Sequence, residues 1–112
     1  MNSLTRGWTF FSNHAHVLLV LADQADARLR DVAERVGITE RAVQSIVSDL
    51  EAKGAITRRR EGRRNIYEIH REVRFSHPVE AHRSVGDLVD LFRRSRATDD
   101  GPAENPPELN RP

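Results

Sequence analysis

Five arginines, Arg58, Arg59, Arg60, Arg63 and Arg64, fall within seven residues around Gly62. Guanidinium groups stay charged and present forked donors that match phosphate oxygens. Upstream, Thr39, Glu40, Arg41, Gln44, Ser45 and Ser48 recur at the spacing of one helix face. Arginine pairs bidentately with guanine and glutamine with adenine, while hydroxyls serve phosphate or base edges. Glu40 either accepts from a cytosine or favours the helix N-terminus. Asn65 adjoins the second arginine pair. A charge run is commonly only a solvated face, but this density beside a glycine loop fits phosphate contact or entry into a minor groove. The candidate duplex-DNA contacts are therefore Thr39, Glu40, Arg41, Gln44, Ser45, Arg59, Arg63, Arg64 and Asn65. Strand alternation leaves open whether Arg59, or Arg58 with Arg60, faces the duplex. Arg28 and Arg30 are secondary candidates for the backbone.

Other chemistries find little support. With no cysteine, disulfides, thiolate metal sites and thiol redox chemistry are excluded. Of the five histidines, His77 and His82 stand five apart and no nearby carboxylate completes a metal set. His82 reads as a core or interface residue. No glycine-rich phosphate loop, nucleophile elbow or paired carboxylates appear, so neither an enzyme nor a cofactor is expected. The chain has 112 residues, 38% hydrophobic and 31% charged, enough for one domain with a small core. Net charge is only +1, but residues 55–71 carry six arginines against Glu61 and Glu68. No stretch approaches the ~18 apolar residues of a membrane span, and the opening lacks a secretory signal. A soluble, cytoplasmic protein is expected.

The elements that must position these residues follow from periodicity and caps. Residues 95–112 hold four of the five prolines and a single large apolar residue, Leu109, so they read as a disordered tail. The folded domain is expected over 8–94. Ser12 and Asn13 cap a buried helix ending near Asp23. Arg28-Leu29-Arg30 reads as a bridging strand. A two-turn helix over Asp31–Val36 stops at Gly37, and Thr39 caps a long amphipathic helix to Lys53, with Gly54 beyond it. Two strands flank Glu61-Gly62-Arg63-Arg64 as a hairpin. Ser76-His77-Pro78 opens a last helix running to about Arg94. Val79, His82, Val85, Leu88, Val89 and Phe92 form one stripe of it. The fold class is α+β, mainly helical.

Val32, Ala33, Val36, Gly37, Ile38, Val43 and Ile46 together satisfy a helix-turn-helix, the alternative being an ordinary helical hairpin with a glycine turn. The segment LRDVAERVGITERAVQSIVSDLEAKGAITRRREGRRNIYEI resembles the winged helix-turn-helix domain of bacterial transcriptional regulators, and is most similar to the MarR-like and ArsR-like groups. The start, WTFFSNHAHVLLVLA, is similar to small actinobacterial members. The resemblance implies a recognition helix in the major groove, a basic two-stranded β-wing, a C-terminal dimerisation helix and control of transcription, and a repressor is expected. The expected homodimer interface is Trp8, Phe11, Val85, Leu88, Val89 and Phe92, and close approach of a partner helix would account for Gly86. Packing of that helix on its own domain is the alternative. A protein-interaction module for an acidic partner is the rival function. A third reading, which the resemblance implies, is a DNA-binding protein gated by a small-molecule effector, for which the six aromatic residues mark out no obvious pocket.

Overall fold

The structure, a computed structural model, describes residues 7–93. The expected tail, 95–112, lies outside them, as does Arg94. The order is α1 (Asn13–Asp23), α2 (Leu29–Val36), α3 (Glu40–Ala52), β1 (Ile56–Glu61), β2 (Arg64–Ile69) and α4 (Val85–Phe92). Among the described residues no helix is long and apolar enough to cross a membrane.

Side-chain caps open three helices. The Ser12 hydroxyl accepts from Ala15 N, and Thr39 Oγ1 accepts from Ala42 N at 3.0 Å. Ser84 and Asp87 form a reciprocal capping box at the start of α4. Helix α2 ends at Gly37, whose φ of 90° and ψ of 33° are left-handed, and a side chain there would be strained. Two-residue hairpin turns also call for positive φ, which Gly62 supplies at 61°. The strands pair antiparallel with Ile56 opposite Ile69 and Arg58 opposite Tyr67.

One core joins all six elements. Val17 and Leu21 of α1, Val32 of α2, and Val43 and Val47 of α3 are fully enclosed. The hairpin adds Ile56 and Tyr67, and α4 adds Val85 and Leu88.

Three expectations are corrected. Arg28-Leu29-Arg30 is no strand: Arg28 is extended but precedes α2, which takes in Leu29 and Arg30. The connection meets the hairpin not as a paired strand but through single contacts, among them Tyr67 N donating to Ala25 O at 2.8 Å. The last helix is half the expected length. Residues 77–82 form successive turns, with Glu80 N bonded to His77 O and Arg83 N to Glu80 O. Their loop is closed by an Arg74–Ser84 bridge, where extended Ser84 interrupts any helix. His82 and Val79 are accordingly exposed, not parts of an apolar stripe. Third, Gly86 is explained within the chain. Its N–H donates to Arg71 O at 2.9 Å, and a Cβ would stand 3.0 Å from Arg71 Cβ and 3.1 Å from that carbonyl oxygen.

Two substitutions test this packing. Val43→Asp should abolish cooperative unfolding, because it buries an unpaired charge at the centre of the core. Gly86→Ala should lower stability by about 1 kcal/mol despite better helix propensity, since crowding against Arg71 costs ~1–3 kcal/mol. Urea titration checks both, and a stabilised Gly86→Ala variant would show that the Arg71 backbone yields.

Candidate nucleic-acid interface

Helix α3 buries Val43, Ile46 and Val47 on one side. The 3.6-residue period then turns Glu40, Arg41, Gln44, Ser45 and Ser48 outward, and all five are exposed, as is the cap residue Thr39. The structure therefore brings together the six polar positions of the α3 face. Thr39 has a prior task, because its oxygen accepts the cap bond. Farther along, Asp49 Oδ2 lies 2.8 Å from His14 Nε2 and ties the start of α1 to α3.

The hairpin sorts its arginines by face and partner. Arg58 lies opposite buried Tyr67, and Arg60 opposite Asn65, on one face. Arg59 lies opposite Ile66 on the other. Arg58 makes two bonds to Glu51 of α3, Nη2 to Oε1 at 2.9 Å and Nε to Oε2 at 3.2 Å. The Glu51 hydrogen bond holds the Arg58 guanidinium above its ordinary pKa, with the carboxylate charge acting the same way. Arg59 pairs with Glu61. Arg64 Nη1 donates to the Asp26 backbone oxygen at 3.0 Å and to its carboxylate at 3.1 Å. Arg60 donates Nε to Gly62 O. Among the described residues Arg41, Arg60 and Arg63, along with Arg28 and Arg30, take part in no ion pair.

Of the expected wing residues, then, Arg63 presents an uncompensated charge at the tip, whereas Arg59 and Arg64 already face carboxylates. Asn65 is half-buried at the start of β2. Arg60 is the residue that sequence reasoning left undecided, and alternation alone held no signal for it. Glu51 and Asp26 were missed as anchors of the wing: Arg64 and Asp26 stand 38 residues apart, and the Glu51–Arg58 pair forms only once the turn after α3 folds β1 back against the helix.

Three of the other four histidines have side-chain partners: His16 with Asn13, His70 with Thr57 across the hairpin, and His77 Nδ1 accepting from Val79 N. Among the described residues no group of three His, Asp or Glu could hold a metal ion. An open groove of about 670 Å³ does exist, where none was expected. It lies between the start of α1, the end of α3 and the 73–83 loop. The expected dimer residues divide around it. Val85 and Leu88, 2% and 9% exposed, pack into the chain's own core and are unavailable to a partner. Val89 is half-buried, while Trp8, Phe11 and Phe92 are exposed. Phe11 and Phe92 meet edge to face with ring centres 5.3 Å apart.

The MarR family's model matches residues 11–64, from the start of α1 through the hairpin turn. No curated protein matches the chain. Among solved structures, the PcaV transcriptional regulator from Streptomyces coelicolor, in complex with its natural ligand, is 26% identical with a TM-score of 0.50, over 72% of this chain and 56% of that one. Lactococcus lactis ZitR, a zinc-responsive MarR family member, is 19% identical with a TM-score of 0.46, over 62% of this chain and 50% of that one. In complex with DNA the same protein is again 19% identical, with a TM-score of 0.48, over 62% and 49%. The chain spans about half the length of these proteins. The chain has a winged helix-turn-helix fold and is similar to the MarR family over residues 11–64.

The Glu51–Arg58 pair should contribute measurably to holding the wing. Both side chains are about one-third exposed, so solvent screening limits the coupling to about 0.5–1 kcal/mol. A double-mutant cycle with Glu51→Ala and Arg58→Ala, read by urea unfolding, checks this. Strictly additive losses would show that the two side chains act separately.

Proposed function

We propose that this chain is a sequence-specific double-stranded-DNA-binding transcriptional regulator that acts in the cytoplasm as a repressor, by occupying its operator. The observation that carries the reading is the outer face of α3, where Arg41 and Gln44 are exposed within the first two turns and Arg41 meets no carboxylate among the described residues. Recognition helices read base edges mainly from their N-terminal turns. In this reading Arg41 pairs with a guanine and Gln44 with an adenine, and Thr39, Glu40 and Ser45 contact neighbouring bases or phosphates. The wing adds Arg63 and Arg60 as phosphate contacts. Arg64 and Arg59 join them only if a phosphate displaces Asp26 or Glu61. The match to the MarR family over 11–64, and the likeness to a transcriptional regulator at 26% identity, support the same assignment.

Selection from a random duplex pool at near-physiological salt should yield a recurrent half-site. On that site Arg41→Ala should weaken binding by about 1–3 kcal/mol and relax one base position. Arg63→Ala should weaken all duplexes alike and reduce the salt slope by ~1. Equal losses for Arg41→Ala on selected and random DNA would refute its role. Absence of any motif would leave a generic electrostatic surface, and binding to an acidic protein would then replace the regulator reading.

A further inference from the structure

The wing meets the connection before α2 at a charged point. Arg64 Nη1 donates twice to Asp26, to its backbone oxygen at 3.0 Å and to its carboxylate Oδ2 at 3.1 Å. The two side chains are 44% and 50% exposed, so a solute can reach the contact. Arginine is dense on both sides of it in the sequence. Arg28 and Arg30 follow Asp26, Arg63 precedes Arg64, and none of these three takes part in an ion pair among the described residues.

We infer that the Asp26 carboxylate stands in for a duplex phosphate on Arg64, and that a phosphate diester displaces it when the wing closes on DNA. Asp26 is then a built-in competitor that lowers the sequence-independent affinity of the chain. The inference rests on the reading of this protein as a duplex-DNA binder and deepens it.

The geometry favours a competitor over an anchor. The Asp26 backbone oxygen accepts from the same Nη1, so Arg64 keeps a partner when the carboxylate swings away. The connection is also held without that carboxylate. Tyr67 N donates to Ala25 O at 2.8 Å, Ala27 N donates to Gln24 O at 3.1 Å, and Ala27 is buried. Among the described residues only Nη1 of Arg64 has an acceptor, which leaves Nε and Nη2 for the paired oxygens of a phosphate. Arg58 shows the contrasting arrangement. It spends both Nη2 and Nε on Glu51, in a pair only 35% and 31% exposed, and has no fork left to offer. An exposed single-point ion pair such as that of Arg64 is weak, whereas a forked grip on phosphate is among the stronger charge-assisted contacts. A cation that already carries an internal carboxylate also releases less counterion on binding, so the salt slope of the unaltered chain undercounts Arg64.

Binding of Asp26→Asn to a labelled random duplex, followed by fluorescence anisotropy across a range of salt, tests the inference. Asparagine keeps the size of the side chain and the backbone oxygen, and removes the charge. The variant should bind about three- to fivefold tighter near physiological salt, the scale of an exposed ion pair, with a salt slope steeper by ~1. In an Arg64→Gln background the same substitution should bring no gain, and urea unfolding should confirm that each variant is folded. A gain that persists without Arg64 overturns the inference, because Asp26 would then act by general charge repulsion. Weaker binding by Asp26→Asn overturns it as well, because the carboxylate would then aim Arg64 at the duplex. If the unaltered chain binds duplex and Asp26→Asn binds it equally, the inference falls and the regulator reading stands. A chain that binds no duplex at any salt overturns both.

Discussion

The crossing of α2 and α3 is the constraint on which the rest of the molecule depends. Gly37 N and Ile38 N both reach Ala33 O, at 2.8 and 3.1 Å, so the chain leaves α2 in one direction only. The left-handed backbone at Gly37 would cost a β-carbon-bearing residue roughly 1–2 kcal/mol. Two residues later Thr39 is extended and already caps α3. Val32, Ala33 and Val36 then meet Val43, Ile46 and Val47, with a residue as small as Ala33 allowing close approach. Once that contact is made, the period of α3 leaves its polar face no place but solvent. Exposure of Arg41 and Gln44 is thus a consequence of apolar packing on the opposite side.

Charge density on the wing behaves differently from exposure on α3. Two of its five arginines hold the hairpin in place, Arg58 against α3 and Arg64 against the connection before α2. The Tyr67 N–H bond to Ala25 O gives that second attachment a backbone partner. Surface pairs of this kind contribute modestly to stability, but they set where a two-stranded hairpin points, which its own ladder cannot do. A basic run therefore mixes arginines that anchor the hairpin with arginines, such as Arg63, that meet no carboxylate among the described residues. Separating them needs the partners of each guanidinium, not the count of arginines.

That distinction marks what was legible in the residues. Helices α1 and α3 were readable to within a residue or two, because each buries an uninterrupted stripe and opens on a side-chain cap. The hairpin and the Gly37 turn were readable because glycine fixed both. The last helix was over-read. Val79, His82 and Val85 share a helical spacing by coincidence, and a proline after Ser76-His77 is equally at home in a turn. A correct signal was present in Ser84 and Asp87, the residue pair of a capping box, although Gly86 between them obscured it. The groove had no signal at all, since it exists only because residues 77–82 fold into turns instead of a helix.

Helix α3 connects the two surfaces of the molecule. Its thirteen residues make a rod roughly 20 Å long. The first turns carry Arg41 and Gln44, while Leu50 and the adjoining Lys53 line the groove at the other end. Asp49, near that end, is tied to His14, whose own helix begins just after Phe10 and Phe11. Val43, Ile46 and Val47 pack α3 into the core along its length, so Leu50 and Arg41 are carried by one continuous helix. The wing shares in this, because Glu51 lies beside Leu50 and holds Arg58. The apolar groove and the polar outer face of α3 are distinct in chemistry, but they adjoin two ends of one element.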